Sequence, residues 1–393
     1  MRILHVTREV ASDRRFGIGR SLSPVVEALQ AAGHIVRYLT QEDQGPRARE
    51  WQRRWTLRLA PLAQRWLGPA GGTLAAIWIE RLNMGRLAAK VVANSPVDVV
   101  HLHDPWTAWG FRLARLVHRG APCRWGLTEH GFGAYTDAIR EEGVPFSARL
   151  LRLHRRLEAR ILRAAQWVIC PSAAAVAQLA RDLGLPAAPA HWHGVPHARP
   201  QLALPGRDAA RAALGWAGDA CQVLAVGRLN PVKRFEALVQ ACLRLQRPVR
   251  LTILGEGDPA PLQRLVDEAA APQLALQVAV VDDVAPYLSG ADLYVSTALN
   301  ESFGMANLEA LVAGLPAICT AVGSVPEVTG GRAWLVPGSG PGWIDDLAAA
   351  IGELIDDPRR RQAMGQAAAR HAAAWPDAAA IGQRYEAIYQ GLA

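Results

Sequence analysis

Two carboxylates and two cations in the second half of the chain are charged residues whose types and spacing could bind a ligand. Glu301 and Glu309 lie near the two ends of one short stretch, and Arg228 and Lys233 lie together in an earlier turn. Carboxylates accept hydrogen bonds from sugar hydroxyls, whereas arginine and lysine neutralise a diphosphate. Lys233 is one of only two lysines among 43 basic residues, so lysine is an unusual local choice. The other interpretation is that Arg228 and Lys233 are simply two solvated charges.

The stretch from Asn300 to Glu309 predicts the start of a helix that binds phosphate. It follows an apolar run at 292–297, and a helical pattern continues after it. Asn300 or Ser302 is expected to cap this helix, whose N-terminal end attracts anions. At 1.5 Å per residue, Glu301 and Glu309 would lie about 12 Å apart along the axis, which suits a sugar nucleotide. The N–H groups expected to face the ligand belong to Phe303, Gly304 and Met305. The alternative is an ordinary capped helix with two surface glutamates.

Both halves of the chain alternate strand and helix patterns, which is typical of α/β domains with parallel sheets. At 393 residues the chain suits two domains of similar size. We place the first domain at 1–196, the second at 197–375 and a last helix at 376–393, with the linker inside 186–205, which is rich in Pro, Ala and His. Strands are expected near 2–7, 35–40, 97–103, 124–129, 166–172, 221–226, 251–254, 292–297, 317–321 and 333–336.

A glycine-containing loop is predicted after the first strand. Phe16-Gly17-Ile18-Gly19 precedes a helical pattern, and Pro24 is tolerable only in the first turn of a helix. The helix is therefore expected to begin near 21–23, which leaves Gly17 and Gly19 in a flexible turn that a ligand can approach. Gly-x-Gly alone is a weak signal, and a plain connection between strand and helix is the alternative.

Histidines follow or occupy several of the predicted strands. His130 lies at the C-terminal end of one strand, where ligands bind in open α/β sheets, and is expected to orient a substrate hydroxyl. The pairs His101-Leu-His103 and His191-Trp-His193 suggest a metal, but we expect the members of each pair to face opposite sides of a strand, with no third ligand at motif spacing. Since the chain also has no Asp-x-Asp motif, no metal is expected.

Residues 46–82 predict helices in which arginines flank an apolar stripe. The stripe recurs at steps of three and four, and Pro61 is expected to kink or split the helix that carries it. A basic helix of this kind, at 47–66, can lie in a membrane interface and contact anionic lipid. The alternative is a helix pair packed on its own domain with a solvated arginine face. The stripe consists of Trp51, Trp55, Leu59, Leu62 and Trp66, and the flanking arginines are Arg54, Arg58 and Arg65.

Composition narrows the class of protein further. The net charge of +8 is spread along a chain with 35 acidic residues and no finger motif, so no nucleic acid partner is expected. Five scattered cysteines without a Cys-x-x-Cys pair are predicted to be core thiols. Met1 leads directly into a strand pattern, and no apolar run reaches about 18 residues. A soluble cytoplasmic protein is expected, either free or peripheral on the inner face of the membrane.

Several motifs together resemble the retaining glycosyltransferase family 4. They are Gly227-Arg228 with Lys233, the segments 254–257 and 281–287, Glu301-Ser-Phe-Gly to Glu309, and Gly323-Ser-Val-Pro-Glu327. The resemblance spans nearly the whole chain and is most specific from 222 to 336. It implies two Rossmann-like domains facing a cleft, the GT-B fold, with a C-terminal helix that crosses back to the first domain.

The resemblance also implies roles for individual residues. Arg228 and Lys233 would hold the diphosphate, and Glu301 would contact the hydroxyls of the donor sugar. Gly17 or Gly19 would let the β-phosphate approach, and His130 would lie near the transferred sugar. The remaining residues expected at the nucleotide sugar are Gly255, Val281, Ser302, Phe303, Gly304, Met305 and Glu309, with Glu309 on the ribose. The family's usual Asn-Gly-Val-Asp is replaced here by His193-Gly-Val-Pro196, and a usual glycine by Ala279.

The activity implied is transfer of a hexosyl group from a UDP- or GDP-sugar to a hydroxyl acceptor, with retention of configuration and without a metal or cofactor. A front-face reaction is expected, in cell-envelope polysaccharide or glycoconjugate synthesis. The acceptor would be a saccharide, a lipid-linked saccharide or another hydroxyl compound. Two alternatives of other classes stay open. One is a sugar-nucleotide epimerase of the same architecture, and the other is a non-catalytic protein that binds nucleotide sugars or nucleic acid.

Overall fold

The computed structural model describes residues 1–7, 17–141, 143–216 and 220–392. The chain forms two compact units. Unit 1 comprises Met1–Ala198 and Ala378–Ala393, and unit 2 comprises Arg199–Asp377. Each unit contains a parallel sheet of six strands with helices, so the α/β class and the two Rossmann-like domains expected from the sequence are confirmed.

The sheet of unit 1 has the strand order β2-β1-β3-β4-β5-β6, and every neighbouring pair is parallel. Its central strands are short and almost continuously apolar because both faces of the sheet are covered. Leu4 and Val6 pack in one core cluster and Ile3 in another, as expected when successive side chains point to opposite faces. The strands are β1 Arg2–Val6, β2 Ile35–Leu39, β3 Val99–Leu102, β4 Arg124–Thr128, β5 Val168–Cys170 and β6 Trp192–Gly194.

Eight α-helices are described in unit 1, and the last of them comes from the C-terminal end of the chain. They are α1 Gly17–Ala31, α2 Pro46–Leu67, α3 Pro69–Asn94, α4 Pro105–Ala114, α5 Tyr135–Glu141, α6 Ala148–Ala164, α7 Ala173–Asp182 and α16 Ala378–Gln390. Ile381, Tyr385 and Tyr389 of α16 are buried in one cluster with Leu22 and Leu29 of α1. The expected return of the C-terminal helix to the first domain is therefore confirmed.

The sheet of unit 2 has the order β12-β11-β10-β7-β8-β9 and is likewise parallel. Its strands are β7 Cys221–Val226, β8 Val249–Leu254, β9 Leu274–Ala279, β10 Leu293–Ser296, β11 Ala317–Thr320 and β12 Trp334–Val336. Its helices are α8 Arg207–Ala213, α9 Phe235–Leu243, α10 Ala260–Ala269, α11 Ala285–Gly290, α12 Met305–Val312, α13 Val325–Thr329, α14 Trp343–Asp356 and α15 Pro358–Ala373. The loops after β7 and β10 meet at the same edge because both strands run in one direction.

The first helix starts earlier than predicted. It begins at Gly17 with Pro24 in its interior, so Gly17 and Gly19 belong to the helix rather than to a flexible turn. The proline removes a single backbone donor, and nearby the Ser23 hydroxyl donates to the Gly19 carbonyl at 2.8 Å. The predicted loop also included Phe16, which lies outside the described residues.

The structure bears on two further predictions. The segment 186–205, inside which the linker was predicted, contains the boundary between the two units at 198/199, but it also contains strand β6, whose Trp192 is buried and pairs with Val168. This strand is surrounded by prolines and alanines, a composition that favours a connecting segment, so its pattern was not recognised. Of the two effects predicted for Pro61, a kink or a split, the split does not occur, because α2 is continuous from Pro46 to Leu67.

Two other expectations concern the whole chain. The five cysteines are free, and four of them are buried, as expected for core thiols. Within the described ranges, none of the helices combines the length and apolar character needed to cross a membrane.

Candidate functional site

Glycines bring two turns of unit 2 together at the end of its sheet. A Cβ atom at Gly255, just after β8, would lie 1.9 Å from the carbonyl oxygen of Gly227, just after β7. At Gly227, which has a φ of 156°, a Cβ would lie 3.1 Å from the Lys233 Cε atom. Glycine is therefore required at 255, and the lysine stem lies directly against the backbone of Gly227.

Lys233 forms an ion pair with Glu301 at this edge. The Lys233 ammonium donates to Glu301 Oε2 at 2.6 Å, and the two side chains are 25% and 14% exposed. The structure therefore brings together two residues that the sequence assigned to separate parts of the ligand. Since Lys233 has three N–H donors and Glu301 has two oxygens, each keeps hydrogen-bonding capacity beyond the pair.

The helix after Glu301 is not capped as predicted. Its N-cap is Gly304 in the left-handed conformation with a φ of 90°, and no side chain caps it, so the assignment of Asn300 or Ser302 was wrong. Since Gly304 is the N-cap and Leu308 makes the first intrahelical bond, the N–H groups without an intrahelical partner belong to 304–307, which include those predicted for Gly304 and Met305 but not that of Phe303. Residues 301–304 are not helical, so the axial separation of about 12 Å assumed for the two glutamates does not apply.

The start of α12 lies beside the ion pair. A Cβ at Gly304 would be 3.2 Å from the Glu301 Cγ atom and 2.6 Å from Asn307 Nδ2. Asn307 accepts a hydrogen bond from the Tyr294 hydroxyl at 3.0 Å, but its Nδ2 is buried without a partner in the described part of the chain. Glycine at 304 thus leaves open the space between a carboxylate, an amide donor and the positive end of a helix.

Contacts from the loop between β11 and α13 hold Glu301 in place. The Ser324 N–H donates to the Glu301 carbonyl at 3.0 Å, and the Ser324 hydroxyl donates to the Ser302 carbonyl. Gly323 has a φ of 56°, and a Cβ there would lie 2.0 Å from the Glu301 carbonyl oxygen. The sequence singled out Gly323-Ser324 as a motif without assigning a role, and the structure shows that these residues support Glu301.

Arg234 is a site residue that the sequence reasoning missed. Its guanidinium donates to the carbonyls of Thr297 and Ala298 at 2.9 Å each, and also to the carbonyl of Gly338. It also lies over the Trp343 ring, 4.5 Å from the ring centroid. Arg234 therefore fixes the end of β10 just before Glu301. The only sequence signal was its position next to Lys233.

Other predicted residues of unit 2 are less closely grouped. Arg228 is exposed in the turn after β7, and Val281 is half-buried. Glu309 is only 1% exposed inside α12. The Phe303 ring turns into a small core with Leu308 and other apolar residues, so only its backbone remains available to a ligand.

Three predicted residues belong to unit 1. Gly17 is the first residue of α1, and Gly19, two residues further on, is buried. His130 is half-buried two residues beyond the end of β4, and its Nε2 lies 2.9 Å from His103 Nδ1. Each unit therefore carries predicted site residues at the C-terminal ends of its strands.

The histidines of β1 and β3 form a buried group that corrects one prediction. The His101 and His103 rings stack with centroids 4.6 Å apart, so they share one face of the sheet, because side chains two residues apart on a strand point the same way. His5 of β1 joins them, and ligand atoms of the three residues lie within 4.8 Å of one another. The structure thus supplies the third histidine that sequence spacing did not show.

Hydrogen bonds already engage this group. His5 bonds to His103, and His101 bonds to Tyr389 and Thr128, so every ring nitrogen of the three residues except His5 Nε2 has a partner. A metal ion would have to break these bonds in a buried position. We therefore interpret the group as a hydrogen-bonded part of the core. His191, from the other pair, bonds to the Leu162 carbonyl at 3.3 Å.

Sequence models of two families match the chain. The model described as "Glycosyl transferases group 1" matches residues 206–371, and the "Glycosyl transferase 4-like domain" matches residues 16–196. Among solved structures, sucrose-phosphate synthase from Thermosynechococcus elongatus superposes with a TM-score of 0.75 and 21% identity, covering 100% of this chain and 99% of that one. HepE from Anabaena, solved with UDP and glucose, has a TM-score of 0.70 and 16% identity, with both chains covered completely at 100%. Both are similar in fold.

Curated relatives carry the name D-inositol 3-phosphate glycosyltransferase. The protein from Kineococcus radiotolerans is 36% identical over 195 residues, which are 43% of this chain and 44% of that protein, so the match spans less than half of that relative's length. A relative from Catenulispora acidiphila is 30% identical over 327 residues, covering 77% of this chain and 74% of that protein. The chain therefore belongs to the glycosyl transferases of group 1.

Proposed function

We propose that this protein is a retaining glycosyltransferase that moves a hexosyl group from a UDP- or GDP-sugar to a hydroxyl acceptor. The observation that carries the proposal is the Lys233–Glu301 pair beside the start of α12, at the edge of the sheet where ligands of α/β domains bind. A cation, a carboxylate and a helix N-terminus meet there, which are the groups needed for a diphosphate and a sugar hydroxyl.

The two members of the ion pair bind different parts of the ligand. Lys233 keeps two N–H donors for the diphosphate after donating one to Glu301, and Glu301 Oε1 accepts from a hydroxyl of the sugar. The first N–H groups of α12 and the exposed Arg228 meet the remaining negative charge. Because these groups already supply positive charge, we assign no divalent metal to the diphosphate.

The proposed reaction proceeds on one face of the sugar. The bond from the anomeric carbon to the diphosphate breaks, the acceptor oxygen bonds to the same face of that carbon, and a diphosphate oxygen takes the acceptor's proton. Glu301 is engaged by Lys233, so it orients the sugar rather than attacking it. Lys233 and the helix stabilise the charge that develops on the departing diphosphate.

Donor binding tests this function directly. We expect UDP- or GDP-sugars to raise the melting temperature, because a ligand present at 100 times its Kd stabilises a protein by about 2.7 kcal/mol. The Lys233→Ala variant should lose most of the shift, whereas Lys90→Ala, which removes the other lysine, should keep it. Absence of any shift across a panel of nucleotide sugars would contradict the proposed donor.

The rival functions give different results in related experiments. An epimerase converts the nucleotide sugar when no acceptor is present, whereas a transferase needs an acceptor. A nucleic-acid binder shows salt-dependent binding of nucleic acid and no effect of UDP or GDP on melting. Product analysis with and without acceptor therefore separates these classes.

The acceptor is proposed more broadly, as a hydroxyl compound of cell-envelope or glycoconjugate synthesis. Relatives named D-inositol 3-phosphate glycosyltransferase make a phosphorylated polyol a sensible first acceptor in the assay. Saccharides and lipid-linked saccharides complete the panel. UDP-glucose is a suitable first donor because a protein of the same fold was solved with UDP and glucose.

Helix α2 supports a proposal that the protein acts on the inner surface of a membrane. None of its residues is buried, and Leu62 and Trp66 are 52% and 79% exposed. Arg54, Arg58 and Arg65 are exposed on the same helix. Such a helix suits an anionic bilayer. The exposed apolar side chains insert into the bilayer, and the arginines contact the lipid headgroups.

Vesicle binding tests this second proposal. We expect the protein to sediment with phosphatidylglycerol vesicles but not with phosphatidylcholine vesicles, and to be released by salt. Replacing both Leu62 and Trp66 with serine should lower partitioning about a hundredfold or more, since each buried apolar side chain contributes about 1.5 to 3 kcal/mol. Serine at Leu116 and Val117, which are 72% and 79% exposed elsewhere on unit 1, is the matched control. Equal losses in both double variants would reject α2 as the contact.

A further inference from the structure

A cavity of about 390 Å³ lies at the N-terminal edge of the unit 2 sheet. It is lined by Cys221, which begins β7, by Pro248, which directly precedes β8, and by Asp292, which directly precedes β10. Lys233 and Glu301 lie in the loops after the C-terminal ends of β7 and β10. Since β7 has six residues with a rise of about 3.3 Å each, the two edges are about 20 Å apart. The cavity is therefore separate from the proposed donor site.

Three arginines from separate elements line this cavity, which we call the arginine cavity. Arg211 comes from α8, Arg247 from the loop before β8, and Arg361 from α15. Burial raises the pKa of the Cys221 thiol in the cavity to about 12. Arg361, Arg211 and Arg207 act against this rise in pKa, so their positive charges lie near the same sulfur atom. The fold thus concentrates cations from distant segments at one place.

Neutral acceptors hold two of these arginines in position. Arg361 donates through Nη1 to the carbonyls of Leu354 and Ile355, at 2.7 Å each. Arg211 donates through Nε to the Gly290 carbonyl at 2.8 Å. These carbonyls orient the guanidiniums without neutralising their charge. Because a guanidinium has five N–H donors, Nε and Nη2 of Arg361 and Nη1 of Arg211 are left without a hydrogen-bond partner among the residues that the structure describes.

Carboxylates compensate the arginines only in part. Asp292 accepts from Arg207 through one oxygen and from Arg211 at 2.7 Å through the other. Arg247 pairs with Asp356 at 2.7 Å, and these two side chains are 57% and 43% exposed. Within the described part of unit 2, the four arginines therefore form ion pairs with two carboxylates, which leaves an excess of two positive charges.

We propose that the arginine cavity binds a small phosphate monoester through Arg211, Arg247 and Arg361. A phosphate monoester carries about two negative charges near pH 7 and three strong acceptor oxygens, which match the excess charge and the unpartnered donors. The planar fork of arginine donates two hydrogen bonds to one phosphate. A volume of about 390 Å³ lies in the range of small-molecule sites, about 300 to 1,000 Å³, and accommodates an organic group beside the phosphate. This site does not depend on the proposed transferase function.

Calorimetry with the whole protein tests the binding. The probes are glucose 6-phosphate and glucose 6-sulfate, which have the same shape, whereas the sulfate carries only one negative charge. At constant ionic strength, we expect the phosphate to bind about tenfold more tightly or better, because its second charge meets the excess positive charge. Equal affinities, or no binding of either probe, would overturn the proposal. Binding of vesicles that contain phosphatidic acid, without binding of glucose 6-phosphate, would reject a small soluble ligand.

Two exposed side chains at the cavity should change the affinity in opposite directions. Arg247→Ala should weaken glucose 6-phosphate binding about tenfold, the scale of one charge-assisted hydrogen bond. Asp356→Ala releases the Arg247 guanidinium and removes a competing negative charge, so it should tighten binding about two- to fivefold. Arg244→Ala is the matched control, because it removes another exposed arginine of unit 2, which pairs with Asp345, and it should leave binding unchanged. Equal losses in the two arginine variants, or weaker binding in Asp356→Ala, would contradict the proposal.

The Lys233→Ala variant shows which edge of the sheet holds the phosphate. It should lose the melting shift with UDP- or GDP-sugars but keep glucose 6-phosphate binding, whereas Arg247→Ala should keep the shift. Loss of glucose 6-phosphate binding in Lys233→Ala would place the phosphate at the donor site and overturn the proposal. Absence of any shift with nucleotide sugars, while glucose 6-phosphate still binds, would contradict the proposed function and support the arginine cavity.

Discussion

Lys233→Ala should lower kcat by about 10² or more, the scale measured when one preorganised group that stabilises developing charge is removed. The ammonium is held by Glu301 at 2.6 Å and by packing against Gly227, so its position is fixed before the ligand arrives. Steady-state rates with saturating donor measure the loss. The Lys233→Arg variant keeps the charge but not the compact geometry, and should retain part of the rate.

The other lysine supplies the control for this experiment. Lys90→Ala changes the same residue type in unit 1 and should leave turnover unchanged. Unchanged turnover in Lys233→Ala, with the variant folded, would remove Lys233 from the mechanism.

A double-mutant cycle shows whether Lys233 and Glu301 act as a unit. Glu301→Gln should cost more in turnover than in donor binding, because its contact with the sugar strengthens in the transition state. In combination with Lys233→Ala, the loss should be smaller than the sum of the single losses, with a coupling of about 0.5 to 3 kcal/mol. Strict additivity would mean that the observed ion pair has no role in catalysis.

Gly323→Ala should be a strongly damaging small substitution near the site. A Cβ there would lie 2.0 Å from the Glu301 carbonyl oxygen, and the residue has a φ of 56°. Left-handed backbone costs a non-glycine residue about 1 to 2 kcal/mol, and the clash adds about 1 to 3 kcal/mol of overpacking. We expect a loss of stability of about 2 to 5 kcal/mol in denaturant unfolding, together with a lower kcat because Glu301 is displaced.

Gly331→Ala separates the two causes. Gly331 has a similar φ of 73°, but nothing lies within 4 Å of a Cβ placed there. The Gly331→Ala variant should therefore lose only the backbone contribution to its free energy of unfolding, about 1 to 2 kcal/mol, and keep its turnover. If both variants lose the same stability and activity, the close contact between Gly323 and Glu301 has no energetic importance.

The fold could be predicted from the sequence because strands and helices leave patterns within short segments of the chain. Apolar runs followed by helical patterns located strands such as β7 and β10, since a buried parallel strand needs little more than a short apolar run. The failures also have local causes. Strand β6 lies in a segment rich in Pro, Ala and His, and β9 at the sheet edge alternates weakly, so neither was predicted as a strand. The start of α1 was misplaced because a proline was assumed to be confined to the first turn.

The site could be predicted only in part, because the residues that hold its side chains in place come from distant segments of the chain. Lys233 and Glu301 were recognised separately, but their pairing depends on two loops 68 residues apart in the chain. Ser324 and Arg234 act through backbone carbonyls, which leave no pattern in the sequence. The cap of α12 was assigned to a side chain, although a glycine in the left-handed conformation starts the helix. Likewise, His5 meets His103 only because β1 and β3 are neighbours in the sheet.

The position of α16 has a consequence for how the protein is made. Its Ile381, Tyr385 and Tyr389 complete the core of unit 1, yet they are synthesised after all of unit 2. The part of unit 1 at 1–198 is therefore synthesised first and keeps an apolar surface uncovered while all of unit 2 is made. Nascent chains that stall before residue 378 should accumulate as chaperone substrates rather than as folded halves.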